Sequence, residues 1–198
     1  MCGRYYSRYS KQQLAENLRT RVGFAISANY NVAPATCQPV VRFDSEGVPE
    51  AVVMRWGLVP YWSKDAKSAH SMINTKAETV ATGPVSRGAF KARRALVPAS
   101  GFFEWKKLDA RSKQPYAIIL TGGEIFAFAG LWDRWRDPAT EQDLETFTII
   151  TTEPNELVAE VHSRMPVILN PADYDRWLDN SHRVDLVAAF KPAFEWTA

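Results

Sequence analysis

Hydrophobic positions along the chain fall mostly into short runs that are rich in β-branched and aromatic residues and end at glycine or proline. Such runs are typical of β-strands. They predict strands at residues 38–43, 51–56, 95–98, 102–106, 116–121, 125–132 and 147–151. The pair Gly122-Gly123 separates two of these runs and predicts a hairpin turn between them.

Helical spacing is confined to a few stretches. The clearest helix begins after Ser10, since Ser10 and Gln13 have the spacing of a capping box and Leu14 with Leu18 would form one apolar face. Further helices are predicted at residues 75–81, 154–161 and 171–179, the last one opened by an Asn-Pro N-cap.

The order of these elements indicates the fold class. Strands outnumber helices and do not alternate with them as βαβ units, so a parallel doubly wound sheet is disfavoured. No repeat, low-complexity tract or linker divides the 198 residues, a length that suits one domain. We expect an α+β fold, a single domain over residues 2–198 built on an antiparallel, barrel-like β-sheet with flanking helices.

Composition narrows the class of protein. Hydrophobic residues make up 46% of the chain, enough for a packed core. The formal net charge of +2 is too small to indicate nucleic-acid binding by itself, so any polyanion site must be a local patch. Neither a signal peptide nor a membrane-length apolar run is visible, and Cys2 and Cys37 do not form a disulfide framework. We expect a monomer in the cytoplasm, without membrane partners and with free thiols.

Motifs for metals and nucleotide cofactors are missing. The sequence has no nucleophile elbow, P-loop, dinucleotide-binding fingerprint or C-x-x-C pair. His70, His162 and His182 lack the spacing of metal ligands. We expect neither a metal site nor a cofactor.

Glu104 is a lone carboxylate inside an aromatic strand. Alternation places Phe103 and Trp105 on one face of that strand, and Phe102 and Glu104 on the other. An exposed glutamate on an edge strand is one interpretation. The other is a partly desolvated carboxylate whose raised pKa lets it exchange protons near neutrality.

His162 and Asn74 stand at predicted helix boundaries, so each has a structural and a functional interpretation. His162 ends a predicted helix and is either a C-capping residue or a general acid, with Arg164 beside it to hold an anion. Asn74 stands where a helix is predicted to begin and is consistent with an N-cap. Lys76, in the exposed first turn of that helix, is suited to a phosphate contact.

Trp62 belongs to an aromatic pair on a loop after Gly57 and Pro60. Such a pair either covers the core or stacks on bases of single-stranded nucleic acid. Basic residues follow at Lys64, Lys67, Lys76, Arg87, Lys91, Arg93 and Arg94, a pattern that a plain solvated face also produces.

Cys2 gains a second function if Met1 is removed, because it then carries an α-amine and a thiol on adjacent carbons. The pKa of an α-amine lies near ~7.7–8.0 and that of a thiol near ~8.5, so both are usefully nucleophilic at neutral pH. With an aldehyde the amine forms a Schiff base, and the thiol then closes a five-membered thiazolidine. A terminal cysteine could instead act as the nucleophile of an amide hydrolase.

Seven segments, in order across almost the whole chain, carry a resemblance to a known family. They are MCGRY (1–5), YNVAP (30–34), RWGLVP (55–60) with Trp62, INTKAET (73–79), VPASGFFEW (97–105), FAGLW (128–132) and HSRMP (162–166). Together they resemble the SRAP family (SOS response-associated peptidase domain), whose members sense abasic sites in single-stranded DNA.

This resemblance implies a covalent DNA–protein crosslink. Cys2 would capture the ring-opened aldehyde of an abasic deoxyribose, with Asn74 orienting the Cys2 terminus. Glu104 would transfer protons to and from the amine and the sugar. His162 would help to open the sugar ring and bear on crosslink reversal, although Glu104 and His162 could divide the acid and base roles differently.

The resemblance also implies contacts to DNA. Arg4, Lys76 and Arg164 would hold phosphates that flank the lesion, while Trp62 would cover an exposed base or wedge against a duplex end. Thr151 falls where the family has a threonine near the site. The expected partner is single-stranded DNA containing abasic sites, and the protein would join the bacterial nucleoid when bound.

Two departures from the family pattern concern Lys76 and the C-terminus. Lys76 stands where arginine is common, which keeps the charge but loses bidentate phosphate geometry. The chain ends at FEWTA (194–198) without a Val-Ser-x-x-Val-Asn type segment, so the C-terminal family segment is expected to be short or missing.

Two other functions stay open at this point. The first is a cysteine peptidase with Cys2 as nucleophile, although only Met1 precedes Cys2 and no prosegment for self-processing is expected. The second is a non-covalent single-strand binder, which would bind intact and abasic DNA equally and with strong salt dependence.

Overall fold

Strands dominate the computed structural model, which describes residues 2–66, 69, 71–181 and 196–197. The strands are β1 Arg4–Ser7, β2 Arg21–Val22, β3 Asn29–Val32, β4 Cys37–Phe43, β5 Pro49–Trp56, β6 Asn74–Lys76, β7 Arg94–Ala99, β8 Gly101–Lys107, β9 Lys113–Leu120, β10 Phe126–Arg136, β11 Asp143–Thr152, β12 Met165–Pro166, β13 Ile168–Leu169 and β14 Trp196–Thr197. The helices are α1 Lys11–Leu18, α2 Arg87–Ala92, α3 Glu156–Ala159 and α4 Tyr174–Leu178, with a 3-10 turn at Pro171–Asp173.

Five strands close into a barrel. β11, β10, β7, β4 and β5 pair in that order, and all four pairings are antiparallel. The ring closes where β5 and β11 pair in parallel, Arg55 with Thr146 and Trp56 with Phe147. A second sheet has the order β14-β9-β8-β1-β3. The expected barrel-like α+β fold is confirmed, with a parallel closure that the sequence pattern did not predict.

Both faces of the central strand β10 are buried, which explains its continuous apolar run. Phe126 and Phe128 join one core cluster, whereas Ala127 and Ala129 join the other, beneath α1 and α4. The first cluster also contains Cys2. Cys2 is therefore part of the core rather than of a frayed end.

The seven predicted strands are present as β4, β5 and β7 to β11, with β9, β10 and β11 extending a few residues further than predicted. The capping box of α1 is confirmed: Gln13 N donates to Ser10 Oγ at 3.1 Å, and Ser10 N donates to Gln13 Oε1 at 2.9 Å. Asn170 caps the 3-10 turn that leads into α4. Local sequence signals thus determined these elements correctly.

Two predictions of local structure are wrong. Gly122-Gly123 makes no hairpin, because the strands on its two sides, β9 and β10, do not pair with each other. β9 pairs with β8 and β14, whereas β10 pairs with β7, β11 and β13, so the turn connects one sheet to the other. The helix predicted at 75–81 is absent, since residues 74–76 form β6 beside β11. Partner strands outcompete the local preference in both places. The helix predicted at 154–161 is shorter, as α3.

Some expectations fall on undescribed residues. Met1, Lys67, His70, His182 and most of the C-terminal segment 194–198 lie outside the described part of the chain, so those expectations stay predictions. Within the described part, no helix is long and apolar enough to cross a bilayer.

Gly57 begins the loop of residues 58–72 and is expected to be intolerant of any side chain. Its φ is +121°, and a Cβ would lie 2.5 Å from the carbonyl oxygen of Ala69. Gly57→Ala should therefore lower the free energy of unfolding by about 2–4 kcal/mol, since backbone strain and a backbone clash combine. Urea unfolding measures the change. Gly23→Ala is the control, because no atom lies within 4 Å of its Cβ position; an equal loss in both variants would contradict the argument.

Candidate active site at Cys2

Cys2 is fully buried, two residues before β1 begins. β1 lies between β3 and β8, and the next core residue, Tyr5, packs edge-on against Trp56 and Phe128 with ring centroids 5.3 and 5.8 Å away. The Cys2 Sγ lies 3.9 Å from the backbone oxygen of Arg4. Strand pairing and aromatic packing thus hold the terminus in place.

Asn74 reaches Cys2 from strand β6, which belongs to the other sheet. Its Nδ2 donates to the Cys2 carbonyl oxygen at 3.0 Å. The residue before it is held by Trp56, whose Nε1 donates to the Ile73 oxygen at 2.9 Å, and β6 lies in register beside β11, with Asn74 opposite Ile149. The Asn74 Oδ1 is buried and accepts no hydrogen bond from the described residues. The interpretation of Asn74 as an N-cap is wrong, because no helix follows it.

Glu104 is buried at the middle of β8, with only 2% of its surface exposed. β8 is flanked by β1 and β9, so the interpretation of an exposed edge-strand glutamate is wrong. The predicted alternation is confirmed: Phe102 is buried like Glu104, whereas Trp105 on the other face is 37% exposed. Burial raises the pKa of the Glu104 carboxyl, and the charge of His162 opposes that rise.

The thiol of Cys2 shares this environment. Burial raises its pKa, and the negative charge of Glu104 raises it further. The thiol is accordingly neutral at physiological pH. A neutral thiol that interacts electrostatically with a carboxyl of raised pKa is suited to proton exchange rather than to free thiolate chemistry.

His162 follows α3 in a short turn, and its backbone N donates to the Val158 oxygen at 2.8 Å. Its Nδ1 accepts a hydrogen bond from Arg164 N at 3.0 Å, and the Arg164 oxygen lies 3.2 Å from the same nitrogen. A bond accepted at Nδ1 places the proton of the neutral ring on Nε2.

The Arg164 side chain forms a bidentate ion pair with Glu78. Nη1 and Nη2 bind the two Glu78 oxygens at 2.6 and 2.9 Å, and Nη2 also donates to the Thr151 oxygen at 2.7 Å. Thr151 is buried. Glu78 was missed by the sequence reasoning, although it lies inside the segment INTKAET that drew attention to Asn74 and Lys76.

The remaining residues predicted to contact DNA are Arg4, Lys76 and Trp62. Arg4 is half-buried, with Nη1 donating to the Gly3 oxygen at 2.8 Å. Lys76 is exposed two residues beyond Asn74. Trp62 is 56% exposed on the loop 58–72, so it is a surface aromatic rather than core cover. Among the described residues, no group of three or more His, Cys, Asp or Glu side chains could hold a metal ion.

A family model decides the classification of this chain. The model described as SOS response associated peptidase (SRAP) matches residues 1–197. The chain belongs to the SRAP family. The resemblance carried by the seven segments is thereby confirmed.

Curated SRAP relatives carry a shared description. Abasic site processing protein YoqW of Bacillus subtilis is 43% identical over 152 residues, which are 76% of this chain and 66% of that protein. Abasic site processing protein YMR114C of Saccharomyces cerevisiae is 32% identical over 176 residues, which are 85% of this chain and 46% of that protein. Abasic site processing protein HMCES of Gallus gallus is 30% identical over 205 residues, with 88% of this chain and 60% of that protein covered. The chain spans about two thirds or less of the length of these relatives.

Solved structures share the fold. A protein from Bacteroides thetaiotaomicron aligns with a TM-score of 0.86 at 27% identity, covering 98% of this chain and 90% of that one. A phage-related protein from Bordetella bronchiseptica aligns with a TM-score of 0.75 at 30% identity, covering 99% and 93%. The barrel with its second sheet is therefore an established architecture.

The ion pair between Glu78 and Arg164 should stabilise this SRAP-family protein in a pH-dependent way. The hydrogen bonds from Arg164 lower the pKa of Glu78. The stabilisation is thus complete above the ordinary pKa of a glutamate and is lost as the pH falls through the lowered one. Glu78→Gln should cost on the order of 1 kcal/mol or less at pH 7, since Glu78 is partly exposed, and progressively less as the pH falls through the lowered pKa.

Urea unfolding of both proteins at pH 7 and pH 3 measures this difference. The exposed Glu153, changed to glutamine, is the matched control. A difference between the wild type and Glu78→Gln that grew toward acid pH would contradict the predicted sign.

Proposed function

We propose that this SRAP-family protein processes abasic sites in single-stranded DNA by forming a thiazolidine crosslink through Cys2. One observation carries the proposal: Asn74 holds the carbonyl of a buried Cys2, beside the buried carboxyl of Glu104. A terminal cysteine held in this way is suited to a reaction that needs its amine and its thiol together. The names of the SRAP relatives, abasic site processing proteins, supply the substrate class.

The chemistry requires Met1 to be removed, so that Cys2 bears the α-amine. The amine adds to the aldehyde carbon of the ring-opened deoxyribose, and loss of one water leaves an iminium ion. The thiol sulfur then bonds to the iminium carbon and gives up its proton. The product contains a five-membered ring of one nitrogen, one sulfur and three carbons, and one water is released in total.

Glu104 and His162 are proposed to move the protons of this sequence. The neutral thiol of Cys2 needs an acceptor for its proton when the ring closes, and the Glu104 carboxylate acts electrostatically on that thiol. The departing water and the opening sugar need a donor, and the His162 ring can present Nε2–H.

Recognition of the strand is proposed to use residues at the border of the site. Arg4 and the exposed Lys76 are placed to hold phosphates, and Trp62 is placed to stack on a base. Arg164 would act mainly through its backbone on His162, because Glu78 already holds its guanidinium. Reaction at a buried Cys2 requires an extruded sugar, so a lesion inside duplex DNA should react more slowly.

Intact-mass measurement tests the proposal directly. The protein without Met1 should gain the mass of an abasic oligonucleotide minus one water, and the adduct should survive denaturation. Undamaged oligonucleotide, and one bearing a tetrahydrofuran analogue that has no aldehyde, are the controls. No adduct from protein whose Met1 removal is verified in the same spectrum would refute the proposal.

A cysteine peptidase is the second candidate, favoured by the family description itself. Peptide cleavage needs a thiolate, whereas burial raises the pKa of the Cys2 thiol. We therefore rank this activity second. Turnover of a peptide panel that is sensitive to thiol alkylation would reverse the ranking.

A further inference from the structure

Glu78 has no part in the proposed reaction, yet Arg164 links it to His162. The two Glu78 carboxylate oxygens accept hydrogen bonds from Nη1 and Nη2 of Arg164 at 2.6 and 2.9 Å. The backbone N of Arg164 donates to His162 Nδ1 at 3.0 Å. Arg164 therefore joins a carboxylate to the imidazole ring, with its side chain bound to the first and its backbone to the second.

The ion pair between Glu78 and Arg164 spans the end of β11. At Thr151, β11 pairs with β6 on one side and with β12 on the other, and Glu78 follows β6 while Arg164 precedes β12. The Thr151 carbonyl oxygen accepts from Ala77 N at 2.9 Å and from Arg164 Nη2 at 2.7 Å. The bonds to the carboxylate and to this carbonyl together fix the plane of the guanidinium.

The turn that carries His162 has short elements on both sides. The helix α3 before it has four residues, and β12 after it has two, of which Pro166 has no N–H to donate to β11. The Arg164 side chain is 18% exposed, whereas that of Glu78 is 41% exposed. The largely buried guanidinium thus anchors the turn, and Glu78 holds the guanidinium in place.

The bond accepted at Nδ1 determines where His162 carries its proton. A neutral imidazole has one N–H, so a ring that accepts at Nδ1 donates from Nε2. General acid catalysis needs the proton on the nitrogen that faces the reacting group. If the backbone N of Arg164 moved away from Nδ1, the ring would carry its proton on either nitrogen, and fewer molecules would present Nε2–H.

The segment that carries Glu78 also orients Cys2. Asn74 opens β6 and donates to the Cys2 carbonyl oxygen at 3.0 Å, and Glu78 follows in the same segment, INTKAET. β6 pairs with β11, so the start of this segment is held in place. One short segment is therefore placed to position both the nucleophile, through Asn74, and its proton donor, through Glu78.

We infer that Glu78 is a positioning residue that orients His162 through Arg164 during crosslinking, an inference that rests on the proposed function. The carboxylate holds the guanidinium, the guanidinium holds the turn, and the backbone N of Arg164 keeps the proton of the neutral His162 ring on Nε2. Since no step of this series involves the binding of DNA, loss of the carboxylate should slow the reaction of bound DNA rather than weaken its binding.

A double-mutant cycle with His162 tests this role, with single-turnover crosslinking measured at saturating abasic oligonucleotide. Glu78→Gln should slow the reaction about tenfold, a part of the roughly 10²–10⁴-fold that a general acid contributes. In a His162→Gln background the same substitution should have no further effect, because the ring that Glu78 orients is gone. Glu153→Gln also removes one negative charge, at an exposed position, and should leave the rate unchanged in both backgrounds.

The rates distinguish this role from a structural role and from a role in binding. An equal loss in the two backgrounds would indicate that Glu78 only stabilises the fold. A loss that saturating DNA abolishes would indicate that Glu78 acts on affinity. Either result, or an unchanged rate in Glu78→Gln, would overturn the inference.

Nitrogen-15 NMR of the DNA-free protein separates this inference from the proposed function. At alkaline pH, where an imidazole is neutral, the His162 signals, identified by their absence from His162→Gln, should show a protonated Nε2 and an unprotonated Nδ1. In Glu78→Gln the shifts of the two nitrogens should approach each other, because both tautomers are populated. This difference is expected even if the wild type forms no adduct, a result that would refute the proposed function alone. A single tautomer in both proteins would remove Glu78 from the orientation of His162, whether or not the wild type forms the adduct.

Discussion

Replacing Cys2 with serine is expected to abolish the denaturation-resistant adduct with abasic single-stranded DNA, a loss of more than about 100-fold. Serine keeps the α-amine and nearly the size of the side chain, so the buried position stays filled. Its hydroxyl is a far weaker nucleophile than a thiol and closes a ring that hydrolyses readily. The experiment therefore removes the thiol chemistry while leaving the amine.

Borohydride distinguishes the two nucleophiles of Cys2. The variant should still form an imine with the aldehyde, and reduction of that imine to a secondary amine should give a stable adduct. Without borohydride, gel electrophoresis under denaturing conditions should show almost none. Acetylation of the α-amine should abolish both the native and the reduced adduct.

Cys37→Ser is the matched control for this experiment, because Cys37 is the exposed free cysteine and Cys2 the buried one. It should form the adduct at the wild-type rate. A heat-stable adduct from Cys2→Ser without reductant, or its loss from Cys37→Ser, would contradict the assignment of the thiol.

Glu104→Gln is expected to slow adduct formation by roughly 10²–10³-fold, the range of a lost general acid–base group. Glutamine has the shape of the protonated carboxyl but cannot exchange a proton. The limb of the pH–rate profile that reports the protonation of Glu104 should be absent from the profile of the variant. Glu46→Gln, in the exposed turn between β4 and β5, should leave the rate unchanged.

The same substitution should not destabilise the protein at neutral pH. Since burial raises the pKa of Glu104, the folded protein retains a proton that the unfolded chain has already lost. Wild-type stability contributed by this group is present below the ordinary glutamate pKa and is lost as the pH rises through the raised one. Glu104→Gln avoids that loss, so its advantage in unfolding free energy should grow from pH 4 to pH 8.

Urea unfolding across this pH range measures the stability, and single-turnover crosslinking measures the rate. A slow variant that is also much less stable at pH 7 would indicate that Glu104 has a structural role. A variant within a few-fold of the wild-type rate would remove Glu104 from the chemistry.

Local signals determined most strands and the first helix, because β-branched runs, alternation and the capping box act within a few residues. The alternation around Glu104 even placed its side chain on the same face as the buried Phe102. These local signals did not determine which strands pair with each other. Gly122-Gly123 satisfies the local rule for a hairpin, yet its two flanking strands belong to different sheets.

Asn74 shows most clearly what local sequence preference cannot predict. A polar residue before Thr75 and Ala77 indicates an N-cap by local preference, but β11 offers a row of backbone partners, and residues 74–76 pair with it as a strand. Only that pairing aims the Asn74 amide at Cys2. Glu78 likewise acquired a role only when folding brought it to Arg164, 86 positions away in sequence.

The sequence by itself determined the chemistry available to this protein: a cysteine at position 2 that can present an amine beside its thiol, and a carboxylate and an imidazole in apolar surroundings. The tertiary structure decided which of these groups meet. The physical reason is that side-chain chemistry is local to a residue, whereas the burial that raises the pKa values of Cys2 and Glu104 is produced by distant strands. Barrel closure and the pairing of β1 with both β3 and β8 place Cys2 in a buried, oriented site.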